Sequence, residues 1–88
     1  MRILLVEDDR RLAAAAVRGL REEGWAVDHA ADGETARLLA TTRHYEIIIL
    51  DRMLPRISGD QLLAGWRRKG LGIPILMLTA LDAVADRV

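Results

Sequence analysis

Glu7, Asp8 and Asp9 follow one another behind the apolar run at residues 2–6, Asp51 stands behind a second run at 47–50, and Thr79 behind a third at 73–78. A bare cluster of carboxylates is unfavourable, because each charge raises its neighbours' pKa and favours protonation. A divalent cation relieves that repulsion. The donors are hard oxygens with no sulfur or histidine close in sequence, so Mg2+ suits them better than zinc, with water filling much of its octahedron. Once the repulsion is neutralised, a carboxylate oxygen such as that of Asp51 can attack an electrophilic phosphorus and become an acyl phosphate. Thr79 offers a hydroxyl that can donate a hydrogen bond to the phosphoryl group.

For this chemistry the acids must share one edge of the fold, and the order of elements predicts that they do. Residues 2–6 read as a strand, and the alanine-rich stretch after it, with Leu12, Ala16 and Leu20 near helical spacing, reads as a helix stopped by Gly24. Residues 25–30 form a second strand and 31–44 a second helix, capped by Asp32 with Glu34 in its first turn. Residues 46–50 are a third strand, its four long or branched apolar residues reading as buried on both faces. Ser58 caps a third helix with Leu62, Leu63 and Trp66 on one side and the basic residues 67–69 at its negative end. Residues 73–78 are a fourth strand, with Pro74 near its start, and "LDAVADRV" begins a further helix. Alternating strands and helices with short connections predict an α/β fold, a parallel sheet with helices on both faces. All the polar residues above then lie at carboxyl ends of parallel strands, where open α/β sheets bind ligands. If strands one and three are neighbours, their spacing of about 5 Å brings Asp8 and Asp51 within reach of one ion.

Composition removes other classes. The chain has 88 residues, no cysteine, and 13 basic against 13 acidic side chains. That excludes a disulfide framework or thiolate zinc site and gives no polybasic face for nucleic acid or a membrane. No apolar run approaches the roughly 20 residues that cross a bilayer, and the N-terminus meets acid too early for a secretory signal. The expectation is one soluble, cytoplasmic domain.

The motifs "LLVEDD", "IIILDRMLP…SG" and "PILMLTA", in this order and spacing, resemble the response-regulator receiver domain of bacterial two-component systems. "DRMLPRISG" and "DHAADGE" more closely resemble the OmpR-like subfamily, whose receivers are fused to winged-helix DNA-binding domains. The resemblance implies a flavodoxin-like (CheY-like) sheet in order 2-1-3-4-5 and phosphorylation of Asp51 by a sensor histidine kinase. It further implies that Asp8 binds Mg2+ directly, that Glu7 acts more through water, and that Met53 offers its backbone carbonyl. Thr79 matches the switch hydroxyl and Ala80 the neighbouring backbone N–H; Asp9 is left as a helix cap. On this reading the protein is a phosphoacceptor, not an enzyme, and reaches DNA only through an output domain outside the chain.

The chain departs from the family in lacking the lysine that follows a fifth strand, together with that strand and the fifth helix. Residues 1–88 therefore read as the N-terminal part of a receiver. Lys69 is no substitute, since a helix rising 1.5 Å per residue carries it about 15 Å from the active edge. Strand four becomes an open edge, which invites a homodimer or domain swap. The alternative function is a phosphorylation-independent interaction or dimerisation module. No phosphate-binding Gly-rich loop or dinucleotide fingerprint is present, and a haloacid-dehalogenase-like site would need a second aspartate where Met53 stands. His29 and His44 read as structural or solvated and Trp25 and Trp66 as core. Arg52 and Arg56 flank the site as candidate phosphoryl contacts or, equally, as solvated loop charges or kinase-docking contacts.

Overall fold

Residues 1–78 are described by the computed structural model. Their elements are β1 (Arg2–Val6), α1 (Arg10–Glu22), β2 (Ala26–Ala30), α2 (Gly33–Thr42), β3 (Ile47–Asp51), α3 (Gly59–Arg68) and β4 (Ile75–Leu78). The strands form one parallel sheet in the order β2-β1-β3-β4. The expected sheet and helices are present, and the residues expected to start another helix lie outside the described residues.

Boundaries shift for identifiable reasons. Pro74 accepts from Ile48 N through its carbonyl but has no N–H to donate, so β4 begins at Ile75. The Trp25 N–H is taken by Leu20 O at the end of α1, which delays β2 to Ala26. β3 runs one residue further than its apolar run suggests. Asp51 pairs with Leu78 across the ladder and Arg52 N donates to Leu78 O, so Asp51 is the last residue of the strand and not the first of the loop.

The helix ends are set by side chains and glycine. Asp9 accepts from the backbone N–H groups of Arg11 and Leu12, Asp32 from that of Thr35, and Ser58 forms a reciprocal capping box with Gln61. Past α1, Gly24 sits at φ +90°, a left-handed conformation that suits glycine after a helix end.

The two faces of the sheet are filled differently. On one, Leu4, Val6, Ile48 and Leu50 pack with Ala36 and Ala40 of α2 and Leu62 and Trp66 of α3. On the other, Ile3, Leu5 and Val27 pack under Ala13 of α1, flanked by Ala16, Val17 and Leu20. That seam, at positions 13, 16, 17 and 20, leaves Leu12 off to one side and 55 % exposed, against its expected place in the stripe. Nor is β3 buried on both faces. Ile48 and Leu50 are fully enclosed, whereas Ile47 and Ile49 on the α1 side are only half-buried, because α1 sits mainly over β2. Trp66 is core as expected; Trp25, between α1 and β2, is exposed.

Candidate functional site

The strand order reverses between β1 and β3, since the chain passes from β1 to β2 on one side and then to β3 on the other. The crevice at the carboxyl ends of those two strands is the switch point, where α/β sheets bind ligands. The register pairs Val6 with Leu50, and one residue beyond that pair come Glu7 and Asp51. Asp8 follows directly. Glu7, Asp8 and Asp51 each present a carboxylate oxygen within 4.8 Å of the others. Thr79 and Ala80 lie outside the described residues.

The surroundings of the three acids are unequal. Glu7 is 5 % exposed, the buried charged residue among those described, while Asp51 is half-buried and Asp8 open to solvent. Burial foremost, with the Asp51 and Asp8 charges and a hydrogen bond to the Asp51 carboxylate, pushes the Glu7 carboxyl up to about 7. The backbone N–H of Asp9, 3.0 Å from Glu7 Oε2, pulls the other way without cancelling the rise. This pocket is short of positive charge. Arg52, next to Asp51 in the chain, is paired with Asp60 at 2.8 Å. Three hard oxygen donors, one of them raised by uncompensated burial, fit a small divalent cation such as Mg2+.

Asp51 is held in one orientation by its own loop, for Met53 N donates to Asp51 Oδ1 at 3.0 Å. The same carboxylate also meets Glu7 and Asp8 across the pocket. The Met53 side chain points to solvent, 65 % exposed, and its backbone is what lies against the site.

Two positioning features carry little signal in the sequence. The first is Gly59. A Cβ there would stand 2.5 Å from Asp51 O and 2.8 Å from Arg52 Cα, so α3 starts hard against the backbone that presents Asp51. Glycine straight after a capping serine is the trace it leaves. The second is His29, whose Nε2 lies 2.7 Å from Glu7 O; a carbonyl only accepts, so the ring nitrogen donates and pins the strand end that carries Glu7. That gives His29 a structural role, as expected. Arg56 is exposed at φ 64° and lines a recess with Arg37 and Ile57, in keeping with the solvated-loop alternative. Lys69 caps the far end of α3.

A doubly wound parallel sheet with a carboxylate pocket at its switch point is thus the class of molecule that fold and site define. The family model for the response regulator receiver domain matches residues 3–88, and the chain belongs to that family. It is 44 % identical over 88 residues to the probable transcriptional regulatory protein SilR of Salmonella typhimurium, covering all of this chain and 39 % of that protein. It is 47 % identical over 88 residues to the response regulator protein PmrA of Pseudomonas aeruginosa, of which it covers 40 %. The chain therefore spans about two fifths of the length of these curated relatives. Among solved structures, it resembles the Francisella response regulator 1452 receiver domain with a TM-score of 0.89 and 30 % identity, over 97 % of this chain and 70 % of that one. It also resembles TrrA of Thermotoga maritima, solved in complex with Mg2+ and BeF, with a TM-score of 0.85 and 35 % identity, over 90 % and 69 %. TrrA in complex with the histidine kinase ThkA is a further match, at a TM-score of 0.83, 35 % identity, and 90 % and 68 % coverage. No helix among the described residues is long and apolar enough to cross a membrane.

Proposed function

We propose that Asp51 accepts, in the cytoplasm, a phosphoryl group from the phosphohistidine of a sensor histidine kinase, and that the modified domain switches a transcriptional output carried outside residues 1–88. The observation that carries this reading is the meeting of Glu7, Asp8 and Asp51 within 4.8 Å at the switch point. Glu7, Asp8, Asp51 and the Met53 carbonyl would hold Mg2+. When bound, the ion supplies positive charge against the carboxylates and the incoming phosphoryl oxygens. The Met53 N–H on Oδ1 holds the Asp51 carboxylate in place while one of its oxygens attacks. As the O–P bond forms, the P–N bond to the kinase imidazole breaks and its nitrogen departs with the bonding pair. Thr79 and Ala80 would then meet the phosphoryl group through hydroxyl and backbone N–H. The kinase and Mg2+ complexes of TrrA, and the transcriptional names of SilR and other relatives, support the assignment of partner and output. In this reading the carboxylate is a switch that is loaded and unloaded, not a turnover catalyst.

The test is incubation with Mg2+ and a small phosphodonor, followed by intact mass, with Asp51→Asn as control. A gain of one phosphoryl group that needs both Mg2+ and Asp51 is expected. If no Asp51-dependent gain occurs, the competing reading, a phosphorylation-independent interaction module, takes its place. That module would use the edge strand β4, where Leu76 is 51 % exposed, to form a homodimer or domain swap. Light scattering across a concentration series measures it; a persistent monomer would rule the edge out as an interface.

A further inference from the structure

Away from the acid pocket, the groove between α2 and α3 collects positive charge. Arg37 lies on the outer side of α2, Arg56 in the loop before α3, and Arg68 and Lys69 at the end of α3. Three adjoining recesses line up there, of about 380, 350 and 250 Å3, and Arg37 borders all three. Arg56 and Arg68 share the first, Lys69 and Glu34 the second, and Arg68, Lys69 and Trp66 the third. The ion pairs among the described residues are Arg2 and Arg43 with Asp28 and Arg52 with Asp60, so none of these four cations has a carboxylate partner there.

A second observation is independent of charge. Trp66 is 3 % exposed, and its indole Nε1 is a buried donor without an acceptor. Such a group is uncommon in a folded protein and asks for an explanation. Trp66 borders the smallest recess together with Gly65, over which the Arg68 guanidinium lies; a Cβ at Gly65 would stand 3.8 Å from Arg68 Nη2. Trp66, whose indole lacks an acceptor, therefore borders the same recess as three of the four cations, Arg37, Arg68 and Lys69.

We infer that the α2–α3 groove binds a polyphosphate chain, as carried by a free nucleotide or by inorganic polyphosphate. Four cations against two carboxylates, Glu34 in the lining and Asp32 near Arg56, leave an excess of positive charge that calls for several negative charges close together, which a monocarboxylate does not offer. Guanidinium forks match phosphate oxygens bidentately, and a terminal oxygen reaching the smallest recess would accept from Trp66 Nε1. Recesses of a few hundred Å3 suit small molecules better than a flat macromolecular face. The site uses none of the residues of the acid pocket, so it stands or falls separately from Asp51 phosphorylation.

The experiment is a titration of the 15N-labelled protein with ATP and, in parallel, inorganic tripolyphosphate, at constant ionic strength and with a chelator present. Trp66 and Trp25 are the two tryptophans, and a Trp25→Phe spectrum assigns their indole N–H signals. A saturable shift of the Trp66 indole, with Trp25 still, is expected for both ligands. Arg37→Glu with Arg68→Glu should weaken binding roughly tenfold or more, Gly65→Leu should block the smallest recess, and Arg18→Glu on α1 should change nothing. The dispersion of each spectrum checks that the variant is folded. Binding by ATP alone would identify the free nucleotide as the source, and equal binding by both the phosphate chain itself. Equal binding of citrate would overturn the phosphate assignment. A silent Trp66 indole, or shifts that are linear and indifferent to the arginine and glycine substitutions, would overturn the site.

Discussion

Replacing Glu7 by glutamine should stabilise the metal-free protein at neutral and alkaline pH, although it removes a residue of the proposed site. Glu7 has a folded pKa of about 7 against an ordinary 4.5, because it is buried beside Asp51 and Asp8. Below the ordinary value the group is protonated in both folded and unfolded chains and contributes fully. As pH rises the unfolded chain ionises first, and folding loses about 1.36 kcal/mol per pH unit until the folded group also ionises. Over the interval from 4.5 to about 7 the loss approaches about 3 kcal/mol. Glutamine keeps an acceptor for the Asp9 N–H and carries no charge to bury. Urea unfolding without divalent metal, at about pH 5 and about pH 8.5, reads the effect as a difference between wild type and Glu7→Gln. The variant should gain stability over wild type between the two conditions by up to about 3 kcal/mol, and Mg2+ should stabilise it less. If the two proteins change in parallel across that range, Glu7 is not the strained group of the pocket.

Gly59→Ala would press its methyl against two backbone atoms, Asp51 O at 2.5 Å and Arg52 Cα at 2.8 Å, so the loop must move. A loss of about 1–3 kcal/mol in denaturant unfolding is expected, with reduced Asp51 phosphorylation, since the same shift disturbs its presentation. Tyr45→Phe removes the hydroxyl that donates to Asp28 Oδ2 at 2.7 Å, leaving Asp28 to Arg2 and Arg43. The expected cost is about 1 kcal/mol. In the wild type, the single tyrosine should resist ionisation until about pH 12 while folded, which ultraviolet absorbance measures directly.

What the sequence disclosed best was the alternation of apolar runs with capped helices, since Asp9, Asp32 and Ser58 mark helix starts by chemistry local to a few residues. The same alternation carried the acids to strand ends and so to one edge of the sheet. Facts that depend on neighbours distant in sequence were less visible. Whether Ile49 is enclosed depends on where α1 lies, and whether Leu12 or Ala13 faces the sheet is a matter of about 100° of helix rotation. Trp25 looks apolar but falls in the bend between α1 and β2, where it is only partly covered and stays 36 % exposed. The unequal burial of Glu7 and Asp8 is likewise a product of strand pairing. Both acids reach Asp51, but Glu7 follows the end of β1 into the interior while Asp8, one residue later in the bend, stays open to solvent. Gly59 shows its importance only once the backbone of Asp51 is known to pass beneath it.

The central claim concerns Asp51 itself, and the most direct measurement locates the phosphoryl group on the chain. After phosphodonor and Mg2+, borohydride reduces an aspartyl phosphate to homoserine, and peptide sequencing by mass spectrometry finds where. Homoserine at position 51, dependent on Mg2+ and lost on chelation, is the predicted result. Conversion at another carboxylate, or an unaltered Asp51 under conditions that modify other residues, would contradict it.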